Sequence, residues 1–210
     1  SNSSVTGTLG EIISNLGFRQ LRMAETEKIA MVTYFFNGQR ETQSDNEDWE
    51  FVDSPKVATY DLVPEKSTKK LIDHFKEKYL LNDYKLSVIN IACPDMVAHT
   101  GNIDKTIEAI HAADSALADL VDIAKETDSY LIITADHGNA EELINHNSGK
   151  IDTKHSTSLV PLIIYHSREH HFKLQPGKLG DVAPTILKLL EIEKPVEMSG
   201  NSLIIEKALL

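Results

Sequence analysis

Cysteine is nearly absent from this chain of 210 residues, and long apolar runs are missing altogether. The single cysteine, Cys93, excludes an intrachain disulfide and is typical of a reducing compartment, which predicts a cytoplasmic protein. No apolar run approaches the roughly 20 residues of a transmembrane helix, and no signal-peptide pattern opens the chain. The sequence therefore predicts that a membrane is not a partner.

Arginine is scarce as well, since the chain contains only Arg19, Arg22, Arg40 and Arg168. The formal net charge of -11 at pH 7 argues against a polyanionic partner such as nucleic acid. A small anionic substrate remains compatible with this charge if local cations offset the field. Because phosphate sites commonly use the planar guanidinium group, a phosphate site in this chain would depend on lysine or on bound metal.

The alternation of strand-like and helix-like segments predicts the fold class. At this length we expect one domain with a substantial core. Apolar spacing and capping residues predict helices at 8–18, 29–36, 67–80, 102–125 and 179–190. Strands are predicted at 20–24, 49–52, 86–92, 130–134 and 158–165. This order is typical of a layered α/β fold with a mainly parallel sheet, and it predicts that strands 86–92 and 130–134 lie in one sheet.

The long helix that begins after Asn102 has an apolar stripe, which we expect to face the core. Asp114 falls on this stripe. It could accept a hydrogen bond from a residue that itself binds a ligand, or it could simply lie at the polar edge of the stripe. The second interpretation is preferred. The apolar members of the stripe are Ile103, Ile107, Ile110, Leu117 and Val121.

Three segments beside predicted strands carry residues of the types that bind metal ions. Asp95 and His99 lie in a polar segment expected to be a loop, Asp136 and His137 directly follow a predicted strand, and His155 precedes another. Borderline cations accept imidazole and carboxylate ligands together. Ligands in open α/β sheets bind beyond the carboxyl ends of strands, so the three segments together predict one metal site. The alternative for each segment alone is a polar turn after a core strand.

Histidines elsewhere in the chain lack such a setting, and we expect most of them to face solvent. Among these, the adjacent pair His170 and His171 suggests nothing more than an adventitious metal site. The six are His74, His111, His146, His166, His170 and His171.

Six motifs occur in a specific order along the chain, and together they resemble one enzyme family. They are Glu25-Thr-Glu-Lys28 with Phe35-Phe-Asn-Gly38, Pro55-Lys-Val-Ala-Thr-Tyr60-Asp61, Pro94-Asp-Met-Val-Ala-His99-Thr-Gly101, Thr134-Ala-Asp-His-Gly-Asn139 and Lys154-His-Ser-Thr-Ser-Leu-Val-Pro161. From about Gly10 onward the chain closely resembles the 2,3-bisphosphoglycerate-independent phosphoglycerate mutases of the alkaline phosphatase superfamily. Departures at Cys93, Ala98 and Ser156 remove none of the metal-ligand types.

The resemblance implies a metal-dependent phosphoryl-transfer site with two ions, usually manganese, and no organic cofactor. By the family pattern, Asp95, His99 and His155 would hold one ion, and Asp136 and His137 the other. Lys28 would face the transferred phosphoryl group. Without the resemblance, the preferred interpretation of Lys28 would be a surface lysine in the first turn of a helix.

The resemblance also implies that this chain is only part of an enzyme. The family carries its nucleophilic serine, and a further aspartate ligand, in an N-terminal segment that this sequence lacks. An arginine-rich inserted domain that holds phosphoglycerate is lacking too. Gly200-Asn-Ser202 resembles a nucleophile turn only superficially. We therefore expect residues 1–20 to be a flexible start and an interdomain helix, and residues 21–210 to be the C-terminal part of the metal-binding phosphatase domain.

Three functions follow from this interpretation. The first is that of the family, the interconversion of 3-phosphoglycerate and 2-phosphoglycerate through a phosphoserine intermediate, by a full-length enzyme that is a monomer. The second is another metal-dependent phosphatase or phosphodiesterase of the superfamily, against which the motifs at Glu25 and Phe35 argue. The third, a metal-binding fragment without catalysis, is expected for this chain in isolation. The implied fold is a three-layer, alkaline-phosphatase-like sheet flanked by helices and left incomplete.

Overall fold

The computed structural model describes residues 5–145, 148–168 and 170–209, with the backbone alone at 170–172 and 206–209. The expected flexible start at 1–4, the environment of His146 and the side chains of the His170–His171 pair lie outside the described residues. The α-helices are α1 (Leu9–Asn15), α2 (Ile29–Val32), α3 (Thr68–Leu80), α4 (Cys93–Ala98), α5 (Ile103–Glu126) and α6 (Val182–Leu189). The strands are β1 (Arg19–Glu25), β2 (Glu47–Val52), β3 (Tyr84–Ile89), β4 (Leu131–Thr134), β5 (Leu162–Tyr165), β6 (His170–Leu174) and β7 (Ile204–Leu209).

A parallel three-stranded sheet in the order β2-β1-β3 forms the centre of the fold. Helices α3 and α5 cover one face, where Leu71 and Phe75 of α3 pack in one core with Leu21 and Met23 of β1. Helices α1 and α6 supply the core of the other face, against which Leu86 of β3 packs. This layered arrangement confirms the predicted α/β class with a parallel sheet between helices.

The prediction that strands 86–92 and 130–134 lie in one sheet is wrong. Strand β4 forms an antiparallel two-stranded ladder with β5, and within the described residues it shares no ladder with β3. Pro161, which lacks an N–H group, precedes the first residue of β5 and marks the start of that strand. The sheet is therefore divided between β3 and β4. A second antiparallel ladder joins β6, which precedes α6, to β7 in the tail, and we predicted neither strand.

Helix α5 has the predicted boundaries but buries a different face. The side chain of Asn102 accepts a hydrogen bond from the backbone N–H of Lys105 and caps the helix. The isoleucines expected in the core are substantially exposed, with Ile107 at 52% and Ile110 at 44%. The buried positions are mostly small or lie nearer the C-terminal end, and they are Thr106, Ala109, Ala116, Leu120, Ile123 and Ala124. Small residues allow the close approach of α5 to its neighbours, and this outweighed the hydrophobicity of the isoleucine stripe.

Two further segments differ from expectation near the site. The predicted loop 93–101 contains helix α4, with Pro94 in its first turn, where proline is tolerated. The helix expected over 29–36 is limited to α2 and follows a 3-10 turn at Thr26–Lys28. Thr33 is the C-cap residue of α2, and its backbone N–H and its hydroxyl both donate to the carbonyl of Ile29. In the part of the chain that the structure describes, no helix combines the length and apolarity that a membrane span requires.

Candidate metal centre

The candidate site lies beyond the carboxyl ends of β3 and β4. Helix α4 follows β3 after a short connection and carries Asp95, while the chain that leaves β4 carries His137. His155 arrives from the long connection to β5, and an isolated bridge between Gly138 and Ser156 holds the two segments together. The predicted convergence of these segments at one edge is therefore present, although β3 and β4 are not paired.

Asp95 is the centre of the cluster. One of its carboxylate oxygens accepts a hydrogen bond from the Lys28 ammonium at 2.8 Å. The other accepts a hydrogen bond from the side-chain amide of Asn139 at 2.9 Å and lies 3.2 Å from Nε2 of His99 and 3.4 Å from Nε2 of His155. Because the Asp95 side chain is only 18% exposed, these neighbours stabilise its charged form more than water does.

The hydrogen bonds at Asp95 favour its charged form. Burial tends to raise the pKa of this carboxyl, but the hydrogen bonds from Lys28 and Asn139 outweigh it, so the pKa is lowered from its ordinary value. A carboxylate that stays ionised at neutral pH is the form that binds a cation.

His99 and His155 present their Nε2 atoms to the same carboxylate oxygen of Asp95. His99 donates from Nδ1 to the carbonyl of Thr153 at 2.9 Å, which leaves Nε2 of the neutral ring with its lone pair. That Nε2 atom lies 3.1 Å from Nε2 of His155. The ring of His155 stacks on that of His137 with 3.6 Å between centroids. Donor atoms of Asp95, His137 and His155 all lie within 4.8 Å of one another.

A compact turn after His137 supports the site. The Glu141 carboxylate accepts hydrogen bonds from the backbone N–H of Asn139 and from the Ser156 hydroxyl. These and neighbouring hydrogen bonds outweigh burial and lower the pKa of Glu141 to about 2. A Cβ on Gly138 would lie within 2.3 Å of side-chain oxygens of Ser156 and Glu141, so a larger residue there would have to displace these side chains.

Lys28 is held in place by a separate buried network. Glu25 ends β1, and its carboxylate lies 3.2 Å from the Lys66 ammonium, with both side chains fully buried. Lys66 also contacts Glu27 at 3.1 Å and lies 3.4 Å from the ring centre of Tyr60. Lys66 therefore contacts the residues on both sides of Thr26, in the turn that contains Lys28. Lys28 lies in the same turn, and its ammonium group donates to Asp95.

Most of the predicted site residues thus come together, but Asp136 does not join them. Its side chain is 65% exposed, and it lies 3.6 Å from Nε2 of His137. The structure groups His137 with Asp95 and His155. The division into one site of three ligands and another of two remains a prediction.

Sequence reasoning missed Asn139, Glu141 and the Thr153 carbonyl as parts of the site. Asn139 is 4% exposed, and its amide oxygen has no hydrogen-bond partner. Asn139 directly follows Asp-His-Gly in the sequence, which indicates that it lies near the ligands. Its contact with Asp95 depends on the fold. Thr153 acts through its backbone and left no signal in the side-chain pattern.

The chemistry of these donors fits a divalent cation. One ionised carboxylate and several neutral imidazoles are the set that zinc, manganese and similar ions accept. Lys28 would lie against the same carboxylate and offer a point charge to an anionic ligand. The cluster therefore has the composition of a metal site that also binds an anion.

Comparisons with known proteins agree with this composition. The model of the Metalloenzyme superfamily matches residues 1–194. The 2,3-bisphosphoglycerate-independent phosphoglycerate mutase of Ehrlichia canis is 47% identical over 203 residues, which are 97% of this chain and 40% of that protein. The mutase of Onion yellows phytoplasma is 49% identical over 195 residues, which are 93% of this chain and 37% of that protein.

A solved structure gives the same result. The phosphoglycerate mutase of Leishmania mexicana, crystallised at low cobalt concentration, superimposes with a TM-score of 0.85 at 29% sequence identity. The match covers 93% of this chain and 38% of that one. The chain thus spans about two fifths of the length of the curated relatives it matches.

Proposed function

Because this chain belongs to the Metalloenzyme superfamily, we propose that it is the metal-binding part of a cofactor-independent phosphoglycerate mutase. The full-length enzyme would interconvert 3-phosphoglycerate and 2-phosphoglycerate through a phosphoserine intermediate, as a monomer in the cytoplasm. The observation that carries the proposal is the cluster of Asp95, His99, His137 and His155 with Lys28 against it. Relatives that share almost the whole chain carry the name of this enzyme.

In this proposal Asp95, His99 and His155 hold one manganese ion, and Asp136 and His137 hold a second ion more weakly. The expected difference follows from the number of ligands that this chain supplies to each. A bound divalent cation would neutralise charge on the oxygens of a phosphoryl group. Asn139 would keep the Asp95 carboxylate oriented, and the carbonyl of Thr153 would keep Nε2 of His99 free for coordination.

Lys28 would contact the phosphoryl group directly. Its side chain is 16% exposed and it contacts the carboxylate of Asp95, so its ammonium has an anionic neighbour at the site without a substrate. A phosphoryl oxygen arriving beside Asp95 would find a charge-assisted hydrogen-bond donor already in position. The scarcity of arginine makes this lysine the main cationic contact that the chain offers to the substrate.

A metal-dependent phosphatase is the second candidate, because the same cluster could support hydrolysis. Mutase and phosphatase differ in the fate of the phosphoryl group, which a mutase returns to the other hydroxyl of the substrate. Returning it requires a nucleophile that retains it between the two half-reactions. Ser202 is an unsuitable candidate, since its hydroxyl accepts a hydrogen bond from the backbone of Ile204, in the tail beyond α6.

The test compares two products made by a full-length protein that contains this chain. With 3-phosphoglycerate and manganese supplied, 2-phosphoglycerate is measured with an enolase-coupled assay and free phosphate is measured in parallel. We expect 2-phosphoglycerate to form in large excess over free phosphate. The Lys28→Ala variant should lose most of this activity. The control is Lys56→Ala, which removes another lysine from an exposed position and should retain the activity. Free phosphate as the main product would contradict the proposal and favour the phosphatase.

A further inference from the structure

Lys66 is a buried charge to which the proposed reaction assigns no part. Its side chain is fully withdrawn from solvent, although lysine is almost never fully buried unless it is paired. Its ammonium lies 3.2 Å from the carboxylate of Glu25 and 3.1 Å from that of Glu27. One lysine thus neutralises two carboxylates, and both belong to the segment that leads into Lys28.

The two carboxylates differ in their freedom to move. The Glu25 side chain is fully buried, and it also accepts a hydrogen bond from the backbone N–H of Ser67 at 3.1 Å. The Glu27 side chain is 37% exposed and directly precedes Lys28 in the chain. Without Lys66, Glu25 would therefore stay in place, whereas Glu27 would be able to turn toward Lys28.

Glu27 already interacts with both lysines. Burial tends to raise its pKa, but hydrogen bonds from Tyr60 and Lys66 oppose this effect. The charges of Lys66 and Lys28 add to the hydrogen bonds, so the pKa of Glu27 is lowered from its ordinary value. The ammonium of Lys28 nevertheless donates to Asp95. Glu27 and Asp95 therefore compete for Lys28, and Lys66 occupies the first of them.

The balance of charges at this turn shows what Lys66 contributes. Three carboxylates contact two ammonium groups, namely those of Glu25, Glu27 and Asp95 and those of Lys28 and Lys66. Of these five groups, Lys28 would be the sole cation if Lys66 were neutral. Because the attraction between charges weakens with distance, a carboxylate on the adjacent residue would compete directly with Asp95 for Lys28.

We propose that Lys66 is a positioning residue for Lys28, because it occupies the carboxylate of Glu27 and so leaves the Lys28 ammonium at Asp95. There, Lys28 faces the anion that the metal site receives, a role that rests on the proposed function. The contact of Lys66 with Glu25 stabilises the fold, and its contact with Glu27 maintains the site.

A purely structural role for Lys66 leads to a different expectation. If Lys66 only compensated the buried charge of Glu25, replacing both residues by neutral ones would restore the fold and the site together. In the proposed role, that replacement restores the fold but leaves Lys28 displaced. Lys28 then returns to Asp95 only when Glu27 is neutralised as well.

The experiment therefore starts from the double variant Lys66→Met with Glu25→Gln. Nuclear magnetic resonance of the lysine ammonium groups, without added metal, identifies the partner of Lys28 by scalar coupling across the hydrogen bond to a carboxylate carbon. The Lys28 signal is assigned by its absence from Lys28→Ala. We expect coupling to Asp95 in the unaltered chain, its loss in the double variant, and its return when Glu27→Gln is added.

Inorganic phosphate serves as the probe of the anion site, and calorimetry measures its binding to the manganese-loaded chain. The double variant should bind phosphate about 10–100-fold more weakly, as Lys28→Ala should, because one charge-assisted hydrogen bond is lost. Adding Glu27→Gln should recover most of this affinity. Lys69→Met, which removes an exposed lysine paired with Asp73, is the matched control and should change neither readout.

Two results would overturn the proposal. The first is coupling of Lys28 to Asp95 that persists in the folded double variant, and the second is a loss of that coupling that Glu27→Gln does not reverse. If the double variant does not fold, Lys66→Gln in the same Glu25→Gln background replaces it, and the same two results apply. Phosphate that fails to bind the unaltered chain would contradict the proposed function, whereas the coupling of Lys28 decides the role of Lys66 without metal or phosphate.

Discussion

Replacing Lys66 by methionine should destabilise the chain strongly, because it would leave a buried carboxylate without its counter-ion. The side chains of Lys66 and Glu25 are both fully buried and lie 3.2 Å apart. The second carboxylate near Lys66 belongs to Glu27, whose side chain is 37% exposed and can rely on water. Methionine has a similar length, and it meets the same positive φ of 53° that lysine does, so the substitution chiefly removes the charge.

The magnitude follows from the burial of the pair. Removing one partner of a buried ion pair typically costs about 3–5 kcal/mol, because the remaining charge loses its compensation. Replacing both partners by neutral residues is often close to neutral. Glutamine at position 25 would still accept the hydrogen bond that the backbone N–H of Ser67 donates at 3.1 Å. We therefore expect Lys66→Met to cost about 3–5 kcal/mol and the double variant with Glu25→Gln to recover at least about 2 kcal/mol of this.

Urea unfolding followed by circular dichroism measures both variants against the unaltered chain. Exposed Lys69, paired with Asp73 on the surface of α3, supplies the control, and Lys69→Met should change stability by less than about 1 kcal/mol. A cost below about 1 kcal/mol for Lys66→Met, or no recovery in the double variant, would refute the reasoning.

Three further predictions concern the site. Asn139→Ala should weaken manganese binding by about 10–100-fold in calorimetry, because Asp95 loses the donor that orients it, and an unchanged affinity would contradict that role. Manganese affinity should be lower in acid than at neutral pH, since protons compete with the ion for the imidazoles, and an affinity that does not change with pH would argue against histidine ligands. This chain alone should show no mutase turnover in an enolase-coupled assay, because no nucleophile retains the phosphoryl group, and turnover at the rate of an ordinary glycolytic enzyme would contradict the interpretation of the chain as a part.

Local patterns predicted the elements that position the site, where the controlling interactions are close in sequence. The apolar run at 130–134 and the polar residues after it predicted strand β4 and the location of His137. Asn102 predicted the start of α5 because capping involves only the next few residues.

Interactions between distant residues were beyond the same reasoning. Asn139 contacts Asp95 across 44 positions in sequence. The buried face of α5 depends on which helices pack against it, so Ala109 is buried whereas Ile107 is exposed. The packing of the whole domain determines which face of a helix is buried, and the apolar periodicity of that helix alone does not predict it.

The error over β3 and β4 has a different origin. The sequence of each strand predicts a buried strand in a shared sheet, and the carboxyl ends do meet at one edge, yet the strands do not pair. The apolar run of each strand predicts its burial, whereas the choice of the neighbouring strand depends on segments that are distant in sequence.

Manganese titration by calorimetry tests the central claim, that the cluster around Asp95 is a metal site, most directly. The unaltered chain should bind one ion saturably, and His155→Ala should weaken this binding by at least about 10–100-fold. His111→Ala, on the exposed surface of α5, should bind as the unaltered chain does. Binding that survives His155→Ala unchanged, or two tight sites of equal affinity, would contradict the account.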